Sequence, residues 1–595
     1  MSHTPRRGAL LLLAVCLLAF VPGLFTNPPI DRDEPRFTQA SRQMYNSPDA
    51  SGWIVPMVQD RPRLNKPPLI YWLQAGTAAA LTGDIGPNAT RDAIWMYRLP
   101  SAIAGIVAVF ATWRLGRRLG TIAAHRSGAN VDSRGHADAT GLLAALFVAV
   151  SPVISWEARQ GRADMVLVGV TTAALLFLWR VFEHRGTWRG VRDAIVLWLL
   201  VGIGIMTKGP VTPMVVVLGA IAFSIASREW RWWRTLGPWW GVPLACAVAL
   251  PWVLLVVREI GFDEYWKTIR AETIGRAGSA AEGHGGFPGY HILLMPLVLG
   301  AGSIFAGWGI VRAARGMWRR EAELDVSLVW CASMVLPSWI VFEISSTKLP
   351  HYTMPLLSVL AIVSAMLVVR VACDGVVVPN AAAWLARAWG VMMGVMAMLP
   401  ALAATAWVWW SWSDASASAR SIGIATIVLC AGAGVFVAHG VIRSTRSRAW
   451  LHASVAGVSC GIVLAAGVGV VIPQITIART SERLVRAMPP IDPTHSRPLA
   501  CVRGGHEDRP GLPRLEYGYD EDSLIFLTRG RCERLWRQEW KAWAKAHPDG
   551  ILFLERNVAD DDELHQASLR IVDRVLGFNY SKGRFVEVLV VEREP

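Results

Sequence analysis

The sequence predicts an α-helical polytopic membrane protein that carries a small α/β domain at its C-terminal end. Three observations carry this. Of 595 residues, 53% are hydrophobic and 17% charged, with 29 tryptophans and 53 glycines, and mean hydropathy is +0.36, a balance suited to lipid rather than water. Apolar runs of roughly 17 to 25 residues, enough to cross a ~30 Å hydrocarbon layer, recur from Ala9 to Pro473. Beyond Pro473 the apolar runs shrink to strand length. A soluble cytosolic enzyme is excluded by this composition. The net charge of +14 does not signal nucleic-acid binding, because the basic residues recur in short groups between apolar runs.

Thirteen segments are predicted to span: 9–24, 99–119, 140–154, 165–182, 194–207, 211–226, 236–257, 290–311, 326–344, 354–371, 384–410, 422–441 and 453–472. The first follows Arg6 and Arg7, and no small-x-small cleavage site stands between Phe20 and Thr26, so it reads as an uncleaved anchor. With the N-terminus inside, every arginine cluster between spans falls on the cytoplasmic side, as the positive-inside rule requires. These clusters are Arg114, Arg117 and Arg118; Arg180, Arg185, Arg189 and Arg192; Arg228, Arg231 and Arg234; Arg312, Arg315, Arg319 and Arg320; and Arg443, Arg446 and Arg448. The odd count leaves the C-terminal domain outside.

The run 69–81 follows Lys66, Pro67 and Pro68 and has only 13 residues, so it reads as a helix in the outer interface. Asp33 and Glu34 precede Pro35, which suits a first helical turn, and Phe37, Ala40 and Met44 recur on one face. The first outer loop, 27–95, thus carries two interfacial helices, and a second long loop runs over 258–289. The expected domains are 1–473 and 474–595. In the latter, strands are expected at 499–502, 524–527, 551–554 and 585–591, and helices at 481–488, 533–546 and 561–576. Six of the eight cysteines lie in or beside spans, where small buried thiols are ordinary. For Cys501 and Cys532, in an oxidising compartment, a disulfide and two buried free thiols are both open.

A charge at mid-bilayer costs at least ~2.5 to 3.5 kcal/mol, so ionisable residues abutting spans need a reason. Lysine is scarce: seven against 52 arginines. The four before the tail, Lys66, Lys208, Lys267 and Lys348, all fall on the outer side, against the topological bias. Three stand in short motifs beside apolar helices: Asn65-Lys66-Pro67-Pro68, Thr207-Lys208-Gly209-Pro210 and Thr347-Lys348-Leu349-Pro350-His351-Tyr352. One such lysine reads as a snorkelling side chain. Three on one face read as a grip for phosphate, able to neutralise a phosphate leaving group. Carboxylates join them: Asp33 and Glu34, whose side chains point about 100° apart on a helix, and Asp164 at the mouth of the fourth span. The ordinary reading of a first-turn acid is macrodipole compensation, worth ~0.3 to 1 kcal/mol. The loop after Arg258 holds Glu272, Arg276, His284 and a glycine-rich stretch; closure over a site and a plain linker are both open. No P-loop, HExxH or CxxC pattern occurs.

Taken in order, Asp33-Glu34-Pro35-Arg36-Phe37, Trp53-Ile54-Val55-Pro56, Lys66-Pro67-Pro68-Leu69-Ile70-Tyr71-Trp72-Leu73 and Arg98-Leu99-Pro100-Ser101 resemble the N-terminal signature of bacterial polyprenyl-phosphate-sugar glycosyltransferases. That group includes the lipid A aminoarabinose transferases and relatives of protein O-mannosyltransferases. Arg162-Ala163-Asp164-Met165, Thr207-Lys208-Gly209-Pro210, Gly275-Arg276 with His284-Gly285, and Lys348-Leu349-Pro350-His351-Tyr352 extend the match over about half the chain.

The resemblance implies a GT-C fold of about 13 transmembrane helices with a periplasmic C-terminal domain, in a bacterial inner membrane with the N-terminus cytoplasmic. It implies a catalytic or metal-linked carboxylate at Asp33, with Asp164 and Glu34 as further catalytic candidates. Lys66 is the implied ligand of the lipid phosphate, and Arg98, Lys208, Arg276, Lys348, His351 and Tyr352 complete the substrate-binding set. In aminoarabinose transferases the residue before that lysine is usually glutamate and is linked to zinc with a loop histidine. Here it is Asn65, which leaves His284 as a possible ligand and zinc, magnesium or manganese as possible metals.

The implied reaction moves a hexosyl or pentosyl group from a polyprenyl-phosphate donor to a hydroxyl or phosphate of a lipid A-like lipid, glycan or protein, with inversion. The main alternative is a transporter or flippase of a lipid-linked sugar. Transporters bind between repeats near mid-bilayer; no internal repeat is present, and the ionisable residues gather at one surface.

Overall fold

The computed structural model describes residues 5–29, 33–82, 92–126, 133–270, 286–319, 325–410, 417–488, 491, 492, 494, 496–503, 518–579 and 581–594. The chain forms two compact units. One comprises Met1–Phe25, Leu64–Ile70 and Arg98–Val471; the other comprises Thr26–Arg63, Tyr71–Tyr97 and Ile472–Pro595. The first outer loop, expected to belong with the spans, is thus largely part of the C-terminal unit.

In order, the main helices are α1 (Pro5–Phe20), α2 (Asp33–Asn46), α3 (Leu69–Thr82), α4 (Trp95–Arg126), α5 (Ser133–Ala149), α6 (Ala163–Glu183), α7 (Trp188–Lys208), α8 (Val211–Ser227), α9 (Pro238–Ile260) and α10 (Phe262–Arg270). They continue with α11 (Tyr290–Leu299), α12 (Ala306–Arg319), α13 (Val326–Ile344), α14 (Met354–Cys373), α15 (Asn380–Trp410), α16 (Ala417–Arg446) and α17 (Trp450–Val471).

Every predicted span falls on helix. Among the described residues, nine helices are long and apolar enough to cross a membrane, and a pair bent by 104°, Tyr290–Ser303 with Ala306–Arg319, makes a tenth if it is one span. The expected run 290–311 is therefore not one straight rod. Pro296 lies inside its first half, and Gly300 turns the chain at φ +58°, a region that costs glycine little. Three other predicted spans are helices of 16, 17 and 17 residues, α1, α5 and α8. The molecule is a multi-pass membrane protein.

Helix α14 forms the centre of the first unit. Every residue from Met354 to Arg370 is buried, which is what a helix apolar on all sides requires. Polar groups inside the bundle pair across helices: Thr172 with Ser358 at 3.0 Å and Thr171 with Thr212 at 2.7 Å. Such pairs satisfy hydroxyls that lipid cannot. Trp179 packs edge-on to Trp330 at 5.6 Å, and Phe182 to Phe223 at 4.9 Å.

The second unit is built on a five-stranded sheet of β1 (Leu499–Val502), β2 (Cys532–Leu535), β3 (Ile551–Glu555), β4 (Leu569–Asn579) and β5 (Arg584–Arg593), in the order β2-β1-β3-β5-β4. β1 runs parallel to β2 and β3, and the other pairings are antiparallel. Alternate residues feed two cores: Leu499, Cys501, Ile551 and Phe553 on one face, Ala500, Val502, Leu552 and Leu554 on the other, the two-residue period of a strand covered on both sides.

Three expectations for this domain are corrected. Residues 524–527 belong to the helix Asp522–Leu527 instead of a strand, because Leu524, Ile525 and Phe526 are buried together on one turn. The segment 533–546 splits into β2 and the helix Trp540–Ala546. The segment 561–576 splits into the helix Asp561–Gln566 and β4. There Asp560 and Glu563 form a capping box, Ser568 stops the helix at φ +55°, and β4 then pairs with β5. Cys501 and Cys532 are buried free thiols; the register sets Cys501 opposite Arg534 and Cys532 opposite Leu499.

Helix α2 packs in this same unit. Arg36 Nε donates to Asp522 Oδ2 at 2.5 Å. Arg42 donates to Asp92 Oδ1 at 3.1 Å and to the Phe526 carbonyl, while its guanidinium lies 4.2 Å from the Phe526 ring centre.

Candidate active site

The motif Thr207-Lys208-Gly209-Pro210 forms the apex between α7 and α8. Lys208 closes α7, where a cation complements the helix dipole, Gly209 turns at φ +62°, and α8 begins at Val211. Asp164 stands in the first turn of α6, where the dipole favours an acid. These two meet. Lys208 Nζ donates to Asp164 Oδ1, with Arg162 Nε 3.8 Å and His351 Nε2 3.9 Å from the same carboxylate. Arg162 also donates to Glu157 Oε1 at 2.7 Å. Cations and carboxylates thus alternate in a buried network, the condition under which charges survive away from water.

Beside the network lies a cavity of about 500 Å³. Its wall is largely apolar, with Ile205, Met206, Val253 and Ile269, and with Trp252 edge-on to Tyr265 at 6.3 Å. Asn65, Lys66, Lys208 and Tyr352, from the predicted motifs, all line it. Lys208 Nζ lies 5.7 Å from the centre of the Tyr352 ring. The Asn65 side-chain oxygen is buried and has no hydrogen-bond partner among the described residues.

The other predicted residues fall elsewhere. Lys348 is buried and donates to the carbonyls of Ser345 and Gly286 at 3.0 and 3.3 Å; its neighbours Ser345 and Thr347 reach the cavity instead. Arg98 is fully buried, and its Nη1 donates to the Leu24 carbonyl at 2.9 Å. Ser101 donates to the Arg162 carbonyl at 3.1 Å, so the motif at 98–101 ties helix ends together. Lys267 is exposed, 3.7 Å from Glu264. Asp33 and Glu34 open α2 in the second unit: Asp33 is half exposed and 4.0 Å from Arg36, whereas Glu34 is fully buried. Glu272, Arg276, His284 and Arg320 lie outside the described residues. No group of three or more His, Cys, Asp or Glu that could hold a metal is present among the described residues.

Comparison with known proteins bears on this arrangement. A family model described as dolichyl-phosphate-mannose-protein mannosyltransferase matches residues 134–255. An undecaprenyl phosphate-alpha-4-amino-4-deoxy-L-arabinose arabinosyl transferase from Pseudomonas fluorescens is 24% identical over 358 residues, 60% of this chain and 59% of the relative. The match thus spans about three fifths of that relative's length. A transferase of the same description from Erwinia tasmaniensis is 24% identical over 576 residues, 93% of each chain. The crystal structure of ArnT from Cupriavidus metallidurans bound to undecaprenyl phosphate superposes with a TM-score of 0.69 at 20% identity, covering 98% of both chains.

The chain has the GT-C fold. The GT-C likeness embraces both units, since it covers all but 2% of the chain. Sequence reasoning missed the Arg162–Glu157 pair and the Trp252–Tyr265 wall of the cavity. The paired charges within 157–164 were a usable signal for the former; nothing in the sequence marked the latter.

Proposed function

We propose that this protein is a membrane glycosyltransferase that moves a sugar from a polyprenyl-phosphate donor to an envelope acceptor. The observation that carries the reading is the cavity: an apolar hollow with lysines at its polar end matches a ligand made of a hydrocarbon chain and one phosphate. The bound undecaprenyl phosphate of the ArnT structure supports the same ligand chemistry. The relatives' descriptions make 4-amino-4-deoxy-L-arabinose the first sugar to assay, with a lipid A-like lipid, a glycan and a protein as acceptors to compare.

In this reading the prenyl chain lies along Ile205, Met206, Val253 and Ile269, and the phosphate meets Lys66 and Lys208. The acceptor oxygen forms its bond to the anomeric carbon as the carbon–oxygen bond to phosphate breaks. The electron pair leaves with the phosphate, whose growing charge the two ammonium groups stabilise. A single displacement inverts the anomeric centre. The acceptor proton is assigned to Asp33 on the sequence resemblance; its half-exposed carboxylate suits a base. Asp164 is a positioning residue: it is held by Lys208, with Arg162 and His351 close enough to take over its charge when Lys208 turns to phosphate. Asn65, whose oxygen awaits a donor, faces a donor hydroxyl or amine. In this reading the protein sits in a bacterial inner membrane with its N-terminus cytoplasmic and its C-terminal unit periplasmic, an orientation that the arginine distribution supports.

The test is transfer by purified protein in detergent, with inversion read from the product. Lys66→Ala and Asp33→Asn are each expected to abolish transfer while leaving the unfolding profile unchanged. Near-normal rates in either variant overturn that residue's role, and transport activity without transfer overturns the enzyme reading.

A further inference from the structure

The first unit contains a second cavity, of about 510 Å³, walled by α4, α5 and α6. Helices α4 and α5 come together on small residues. A Cβ on Gly116 would lie 3.1 Å from Gly141 Cα, and one on Gly141 would lie 2.6 Å from the Trp113 carbonyl oxygen. Beside that contact, Arg114, Arg117, Arg118, Arg134 and Arg180 line the hollow, with Asp138 as the only acid among its lining residues.

The charges do not cancel. Arg117 pairs with Asp138 at 2.7 Å, Arg180 with Asp193 at 2.8 Å, and Arg118 with Glu183. Arg114 and Arg134 are exposed and have no hydrogen bond or ion pair among the described residues. Two guanidinium groups thus stand unmatched at one hollow whose lining also includes Leu176 and Ala137. A solvated basic face would meet the topological bias of a cytoplasmic helix end equally well; it would not need a concave wall. Arg180 lies sixteen residues after Asp164 on α6, about 24 Å along a helix, so the two cavities belong to opposite ends of one membrane-length helix.

We propose that this second cavity binds the phosphodiester headgroup of an anionic phospholipid. The guanidinium fork matches phosphate oxygens in pairs, basic pockets between transmembrane helices suit such headgroups, and Leu176 and Ala137 offer apolar contact to the start of the acyl chains. The site is independent of the transferase reading, since none of its residues lines the lysine cavity.

The test uses the full chain in mild detergent and follows cardiolipin adducts by native mass spectrometry, with phosphatidylethanolamine and inorganic phosphate as comparison ligands. Cardiolipin is expected to bind the unsubstituted protein, and Arg114→Gln/Arg134→Gln to weaken that binding about thirty-fold. Arg443→Gln/Arg446→Gln, an equal loss of charge on exposed residues of α16, is expected to leave it unchanged. Arg114→Lys/Arg134→Lys, which keeps charge but not the fork, is expected to fall between. Equal cardiolipin binding by the double glutamine variant overturns the proposal, as does equal loss in the α16 control. Displacement of cardiolipin by millimolar inorganic phosphate also overturns it and makes the ligand a soluble anion.

Discussion

At the scale of single residues, the decisive feature is that Asp164 and Lys208 satisfy each other inside the bundle. Removing one partner of a buried pair leaves the other charge stranded, at a cost of about 3 to 5 kcal/mol. Lys208→Met is therefore expected to lower the unfolding temperature in detergent sharply. Asp164→Asn/Lys208→Met should recover most of that loss yet remain inactive, which separates stability from phosphate handling. Lys66 is half-buried at the cavity, so Lys66→Ala should cost little stability and at least about a hundred-fold in rate. The lysines were legible in the sequence because they are scarce and stand against the topological bias. Their partners were not: 44 residues separate Asp164 from Lys208. Arg98 is the converse case. A guanidinium that bonds a carbonyl in the interior and one that binds substrate read alike in a string of letters.

Elements fail by crowding or by loss of charge pairing. On α17, a Cβ at Gly469 would fall 2.2 Å from the Pro22 carbonyl oxygen and 2.4 Å from Arg159 Nη1, the same nitrogen that donates to the Pro22 and Ala465 carbonyls at 2.9 Å. Gly469→Ala is expected to destabilise the protein by about 1 to 3 kcal/mol, measurable by thermal unfolding. On β5, burial alone would raise the Glu592 carboxyl, but hydrogen bonds from Arg570 and Arg497 hold it below its usual range. A depressed carboxyl stabilises the fold above its unfolded pKa, and that stability drains away as pH falls through the folded value. Glu592→Gln should therefore cost about 1.5 to 3 kcal/mol near neutrality, and the gap from the unsubstituted protein should close below about pH 4. Long apolar helices were legible because only one element fits them. Short apolar runs such as 524–527 suit a turn of helix as well as a strand, and the tertiary partners decide.

For the whole molecule, the expected orientation can be read by labelling. A cysteine at exposed Asp549 should react with an impermeant maleimide on intact spheroplasts, and one at exposed Arg446 only after permeabilisation; the reverse pattern would invert the topology. That the first outer loop belongs with the C-terminal unit was not legible, because it depends on pairs such as Arg36 with Asp522 that lie 486 residues apart. The alternation of membrane and α/β character was legible, since it rests on composition and run length alone.

Under the proposed transferase function, the cavity lined by Lys66 and Lys208 takes a fatty chain ending in an anion. The spent carrier keeps both features after it has given up its sugar, so it vies with fresh donor for the same berth. Turnover should slow progressively as liberated carrier builds up in the bilayer, and a phosphatase that clears it should restore the initial velocity.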